Sequence, residues 1–317
     1  MPVLLFTRRI GDNIGLNMGT IVAIFVSMRP RQWIKNLIVL APAIFALPHF
    51  LPEARPMVLA ALAAMGLFCL ASSGVYLLND ILDRESDRHH PEKQHRPIAA
   101  GILPVPTAIA AMIVLFALAL GGAWALRPLV LLIVSGYIVI NLVYSYVLKD
   151  LVIVDAFSIA FGFVLRMLAG AEALHRVEPK VEISTWIILC TMLGSFFLAF
   201  CKRRQELSLE DSAVNHRASL EHYSVSFLDQ MISISCAATV MAYALWTMWP
   251  ETVSKFGTRG LFWTVPFVCY GIFRYLYLVH QKSEGGSPTK VFLSDRPLQI
   301  NIALWFIAVV AILYFRI

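Results

Sequence analysis

The sequence predicts an all-α integral membrane protein, a bundle of nine transmembrane helices with its N-terminus in the cytoplasm and its C-terminus outside. Three observations lead there. Only 15% of the 317 residues are charged and 59% are hydrophobic, where soluble domains carry about 25% charged residues; mean hydropathy is +0.72. Continuous apolar runs of about 20 residues recur along the chain, above the ~18-residue length of a membrane span. Lysine and arginine are dense in alternate segments between those runs, as orientation in a membrane requires. Because the apolar runs are continuous rather than alternating, a β-barrel is excluded.

The elements follow in order. Residues 1–28 form an N-terminal segment. Arg8 and Arg9 precede the polar stretch GDNIGLNMG instead of a signal-peptide core. TIVAIFVSM (20–28) is too short to span and is expected as an interfacial helix. One transmembrane domain then occupies 29–317, with spans at roughly 34–51, 57–78, 102–124, 128–148, 151–173, 184–201, 229–249, 261–280 and 298–316. A cytoplasmic N-terminus puts 17 of the 26 Lys and Arg on inside segments and 7 on outside ones. Trp124, Trp186, Trp249 and Trp263 then mark outer ends, as an aromatic belt does. The net charge of +6 reflects this topology and anionic ligands, not nucleic acid. The five cysteines lie in or beside spans without CxxC spacing, so neither a disulfide framework nor a zinc site is expected.

Spans two, four, six and eight run inward. They end in YLLNDILDRESD, YSYVLKD, FLAFCKRRQEL and FRYLYLVHQK. Four polar, aromatic helix ends at one face predict a shared cytoplasmic mouth open to a soluble substrate. A transporter more often carries its polar groups near the midplane on broken helices.

In the first of these ends, helical continuation places Asn79, Asp83 and Asp87 at i, i+4 and i+8 on one face, with Tyr76 and Asp80 alongside. Like charges at this spacing need a counter-cation. Asn and Asp oxygens suit a hard ion such as Mg²⁺, which keeps waters and bridges to a substrate phosphate. The competing reading is a solvated loop neutralised by Arg84, Arg88, Lys93 and Arg96. The regular spacing on an extension of a span favours the metal.

NDILDRESD matches the NDxxDxxxD motif of the UbiA superfamily of intramembrane prenyltransferases, and nine inward-starting spans match as well. RPRQWIKN (29–36), the stretch 76–101, YSYVLK (144–149), GFVLRMLAG (162–170), CKRRQEL (201–207) and GGSPTKVFLSDRPLQ (285–299) together resemble the decaprenyl-phosphate phosphoribosyltransferase branch. The resemblance implies a UbiA-type bundle in the bacterial inner membrane with its active site facing the cytoplasm. It implies transfer of 5-phosphoribose from phosphoribosyl pyrophosphate to a polyprenyl phosphate of decaprenyl type, with release of pyrophosphate. The partners are then these two substrates and the bilayer, with a homo-oligomer allowed.

Site residues follow from motif and resemblance together. Asn79, Asp83 and Asp87 would hold Mg²⁺, and Glu206 joins them as a catalytic candidate. Arg29, Lys35, Asn36, Tyr76, Asp80, Arg84, Arg96, Tyr144, Lys149, Asp155, Lys202 and Arg203 are candidate substrate contacts. Each has a bland alternative: positive-inside anchoring for Arg29, snorkelling for Lys149, and a juxtamembrane basic stop for Lys202 and Arg203. Arg166 lies ~16 Å beyond Asp155 at 1.5 Å per residue, and a buried acid is its favoured partner. Snorkelling explains Arg274 in the stripe Tyr270, Arg274, Tyr277. Aromatic prenyltransferases of the superfamily carry a second motif, DxxxD, after span six. Here the place reads CKRRQELSLED, with only Glu206 and Glu210 at i, i+4, and Asp150 and Asp155 do not restore it. Extra Lys and Arg there suit a donor bearing an additional phosphate. The alternatives are an aromatic polyprenyltransferase using polyprenyl diphosphate and, ranked below it, a lipid or small-molecule transporter.

Overall fold

The computed structural model describes residues 16–182, 184–208, 222–282 and 286–315. Arg8, Arg9, Glu210, Arg217 and Arg316, used above for orientation or the second motif, lie outside the described residues. Among the described residues every regular element is helical. Eight helices are long and apolar enough to cross a membrane, which makes this a multi-pass membrane protein.

The first element, α1 (Leu16–Ser27), spans 12 residues, about 18 Å and too short to cross. It docks Ala23 against Leu77, Ile98 and Leu103. The chain turns at Arg29, whose φ of 54° and ψ of 62° are left-handed. That conformation costs an L-residue about 1–2 kcal/mol.

The stretch expected as the first span is not one regular helix. It divides into a 3₁₀ helix (Pro30–Leu40), α2 (Ala41–Ala46) and a second 3₁₀ turn (Leu47–His49). Runs of 3₁₀ beyond 3–4 residues are uncommon, and two features sustain this one. Pro42 has no N–H to close an α-helical bond onto Ile38. Val39 packs against Gly170, where any Cβ would overlap its carbonyl.

The remaining spans follow from their apolar runs. They are α3 (Ala54–Leu82), α5 (Val105–Leu126), α6 (Pro128–Tyr146), α7 (Val154–His175), α8 (Thr185–Ser208), α9 (Val225–Met248), α11 (Val265–Gln281, preceded by the 3₁₀ turn Gly260–Thr264) and α13 (Arg296–Phe315). Short helices α4 (Arg84–His89), α10 (Pro250–Phe256) and α12 (Pro288–Ser294) sit in the connections.

Burial sorts inner from outer helices. The apolar windows of α3 and α7 are each 56% buried, against 17% for α5 and α13. The inner face of α3 is small: Ala60, Ala64, Ala71, Ser72, Ser73 and Gly74 are all buried, which lets neighbouring backbones approach closely. One core joins the 3₁₀ segment, α3, α5, α6 and α7. A second joins α7, α8, α9, α11, α12 and α13. Helix α7 belongs to both, through Ala169 and Ala173 in one and Ala156 in the other. All five cysteines are free.

Candidate active site

The expected shared mouth is present. Ser145 at the end of α6 donates to Asn79 Oδ1 near the end of α3 at 2.6 Å. Arg203 near the end of α8 reaches Asp155 at the start of α7 at 2.5 Å and Tyr144 on α6 at 3.2 Å. From the last connection, Thr289 on α12 donates to Gln32 of the 3₁₀ segment at 3.0 Å. Beside α12, Arg274 on α11 holds Asp295 at 2.8 Å and covers the Tyr277 ring. That hydrogen bond keeps the Asp295 carboxyl below the usual range; an ion pair, not snorkelling alone, accounts for Arg274.

The motif on α3 keeps its helical spacing but divides its labour. Helix α3 closes at Leu82, yet Asp83 N–H bonds Asn79 O at 2.9 Å and Asp87 N–H bonds Asp83 O at 2.8 Å. The i, i+4, i+8 register thus survives the break. Asp80 and Asp87 turn inward and are each 2% exposed. Arg96 bridges them at 3.0 and 2.6 Å, and Arg29 adds a second ion pair to Asp80 while covering the Tyr76 ring. Two buried carboxylates this close require such cations. Asp80 thus anchors the mouth with Arg29 and Arg96 as its counter-charges, and the two arginines, expected as substrate contacts, keep 28% and 26% of their side chains exposed. Arg84 lies 3.9 Å from Glu85.

Asn79 and Asp83 stay partly open. The Asp83 side chain is 42% exposed and faces Lys149 at 3.7 Å. Among the described residues no group of three His, Cys, Asp or Glu is placed to hold a metal. The chain alone does not cage an ion, and Asp87, expected as the third ligand, gives one oxygen to Arg96. The Asn79–Asp83 oxygen pair still fits Mg²⁺, which is commonly bound by one or two carboxylates plus substrate phosphates.

Across the mouth, Asp155 and Arg203 form a pair with both side chains 0% exposed. Tyr223 donates to Asp155 at 3.0 Å while accepting the Ile153 N–H at 2.6 Å; burial pushes its phenol up to about 12. Ile153 is the centre of a γ-turn, with φ 69° and Val154 N–H on Val152 O at 2.8 Å. Among the described residues, both non-glycine residues of positive φ, Arg29 and Ile153, thus border the mouth, where local strain tends to collect. Glu206 is held by Arg203 and by Lys202 at 3.5 Å. Of the two basic residues expected to meet substrate, only Lys202 is accessible, at 35%.

Deeper in the bundle, Arg166 has no acid partner among the described residues, contrary to expectation. Its Nε donates to Asn36 Oδ1 at 2.7 Å, Nη1 to Gly162 O at 2.9 Å and Nη2 to Tyr137 OH at 2.8 Å. The rings of Tyr137, Phe163 and Phe68 surround it at 4.6, 5.3 and 5.8 Å. Asn36, 1% exposed, also donates to Cys69 Sγ and Ser72 Oγ. Asn36, expected as a substrate contact, is thus bonded to Arg166 and to α3. Ser145 and Tyr223 carried no sequence signal beyond their place near polar helix ends, and Tyr137, midway along α6, carried none.

Fold and site together define a polytopic membrane enzyme whose charged groups converge at one end of a helical bundle. The chain belongs to the UbiA prenyltransferase family, whose profile matches residues 36–295. It is 35% identical over 295 residues to the decaprenyl-phosphate phosphoribosyltransferase of Corynebacterium glutamicum, covering 91% of this chain and 86% of that one. The Mycobacterium tuberculosis protein of the same name is 34% identical over 298 residues, covering 93% and 95%. Among solved structures, a digeranylgeranylglyceryl phosphate synthase superposes with a TM-score of 0.64 at 17% identity, over 93% of this chain and 99% of that one. A UbiA homologue from Archaeoglobus fulgidus bound to GPP and Mg²⁺ gives 0.62 at 19% identity, over 88% and 99%. These two establish the shared fold.

Proposed function

We infer that this protein transfers 5-phosphoribose from phosphoribosyl pyrophosphate to a polyprenyl phosphate of decaprenyl type. The near full-length likeness to decaprenyl-phosphate phosphoribosyltransferases carries this reading. In the reaction the anomeric C–O bond to pyrophosphate breaks, pyrophosphate leaves with the electron pair, and an acceptor phosphate oxygen bonds the anomeric carbon. Mg²⁺, held by Asn79 and Asp83, would supply charge neutralisation for the leaving group. Lys149 and Lys202 supply further positive charge to the donor's phosphates. The Asp80–Arg96–Asp87 bridge and the Asp155–Arg203 pair hold the helix ends that carry these groups. The acceptor phosphate is already anionic at neutral pH, so no strong general base is needed.

The site faces the cytoplasm of a bacterial inner membrane in this reading. Residues 30–49 make a ninth crossing, with the N-terminus inside and the C-terminus outside. An aromatic prenyltransferase activity is disfavoured because Glu206 is occupied by Arg203 and Lys202, which leaves no second acidic metal site there among the described residues.

The test is direct. Detergent-purified protein is given Mg²⁺, labelled phosphoribosyl pyrophosphate and a polyprenyl phosphate. Lipid-linked label that disappears in Asp83→Ala is expected. Absence of transfer, with turnover of polyprenyl diphosphate and a hydroxybenzoate instead, would replace this reading with the aromatic one.

A further inference from the structure

Two cations lie beneath the mouth without an acid between them. Arg166 is 6% exposed and, among the described residues, bonded only to neutral acceptors. Lys35, half-buried on the 3₁₀ segment, adjoins Asn36, whose Oδ1 accepts from Arg166 Nε at 2.7 Å, and the charges that act on its ammonium, Arg166 and Arg29, share its sign. Among the described residues it makes no ion pair or hydrogen bond. The nearby carboxylates are taken: Asp80 by Arg29 and Arg96, and Asp155 by Arg203. Like charges brought together in a low-dielectric interior are unfavourable unless an anion joins them. The rings around Arg166 offset part of that cost and leave Lys35 uncompensated.

We propose that Lys35 and Arg166 bind the phosphate of the lipid acceptor, so that the two substrates' phosphates are received at different depths of one cavity. The assignment rests on the transferase reading above. Depth separates acceptor from donor. Asn36, which holds Arg166, bonds Cys69 and Ser72 on α3, seven to ten residues back from Asn79. That is roughly 10–15 Å toward the membrane interior at 1.5 Å per residue. A soluble donor enters at Asn79, Asp83 and Lys149. A lipid phosphate arrives from the membrane side, below them. Phe157 and Phe161, about half exposed on α7 between Asp155 and Arg166, give a hydrocarbon tail a surface to follow.

The experiment measures binding of three probes to the full chain in detergent: a short polyprenyl phosphate, the polyprenol of the same chain, and phosphoribosyl pyrophosphate with Mg²⁺. Removing one charged contact in Lys35→Gln should weaken the polyprenyl phosphate on the order of 10- to 100-fold, with the polyprenol and the donor changed less than about twofold. Acceptor KM should rise in parallel while donor KM holds. Loss of donor binding with intact acceptor binding would overturn the proposal, as would no change in either. Arg166→Gln should act in the same direction. Should that variant fail to fold, Lys35→Gln decides alone, since Lys35 makes no bond within the described protein. Wild-type protein that binds polyprenyl phosphate through Lys35 yet transfers nothing from phosphoribosyl pyrophosphate would overturn the transferase reading and leave the anion site standing.

Discussion

Arg96 joins Asp80 to Asp87, at 3.0 and 2.6 Å, across the junction between α3 and α4. The two carboxylates sit one on either side of the helix break at Asp83. Their bridge fixes the angle at which the open pair, Asn79 and Asp83, meets the mouth.

Removing that bridge should destabilise the protein before it affects chemistry. Arg96→Met leaves two carboxylates, each 2% exposed, with Arg29 alone to compensate. Breaking a buried pair from one side costs about 3–5 kcal/mol. Arg96 is itself 26% exposed, so the expected loss is on the order of 2–3 kcal/mol. Thermal unfolding in detergent measures it. Adding Asp87→Asn to Arg96→Met should recover part of the loss; a double variant less stable than Arg96→Met would show that the bridge is not the source.

The divided motif makes a second, sharper prediction. Asp83, 42% exposed, should be dispensable for folding and essential for the metal. Asp83→Asn is expected to lower transfer on the order of 100-fold or more, to raise the Mg²⁺ needed for half-maximal rate, and to leave Tm unchanged. Asp87→Asn should invert this, with a lower Tm and a smaller shift in Mg²⁺ dependence. Chelation should abolish transfer in the wild type. Equal Mg²⁺ curves for wild type and Asp83→Asn would remove Asp83 from the metal site.

These pairings mark where the sequence stops being legible. Eight crossings are plain in it because the bilayer sets helix length and tolerates few charges in between. Spacing also puts Asn79, Asp83 and Asp87 on one face. Which carboxylate faces the substrate depends on Arg96, whose return to Asp80 is set by the loop fold and not by helical spacing. Arg166 shows the same limit. Its depth predicted an acid, but its partners come from the first segment and α6, and they are neutral. The irregular first segment was legible only in part: Pro42 stands within 34–51 as a helix breaker, while the Val39–Gly170 contact leaves no mark on the apolar pattern.

The Arg274–Asp295 pair gives a pH signature at the mouth's edge. Its hydrogen bond lowers the Asp295 pKa in the folded protein. A depressed folded pKa contributes stability above the unfolded value, about 3.9 for Asp, and that contribution is lost as pH falls through the lower folded value. The Tm difference between wild type and Asp295→Asn should therefore be constant from pH 8 to about 5, begin to shrink near about 4 and vanish only below the depressed folded value. A difference that persists undiminished at pH 3 would mean that Asp295 stabilises only as an acceptor for the Leu298 N–H, at 2.9 Å.

The Asp155–Arg203 pair separates positioning from catalysis. Both side chains are 0% exposed, and their partners Tyr144, Glu206 and Tyr223 tie α6, α7 and α8 together at the mouth. Arg203→Met strands a buried carboxylate, and a loss of about 3–5 kcal/mol is expected. Replacing both partners with apolar residues of similar volume, Asp155→Leu with Arg203→Met, removes the stranded charge and should restore much of the Tm. Transfer should not return with it. Without Arg203, Glu206 keeps Lys202 but loses the cation that ties it to α7, and Tyr144 loses the Arg203 hydrogen bond, so the ends of α6 and α8 that present Lys149 and Lys202 are held less firmly in register. The expected double variant is thus well folded, binds phosphoribosyl pyrophosphate weakly and turns over slowly. A double variant with both Tm and donor KM restored would assign the pair to stability alone.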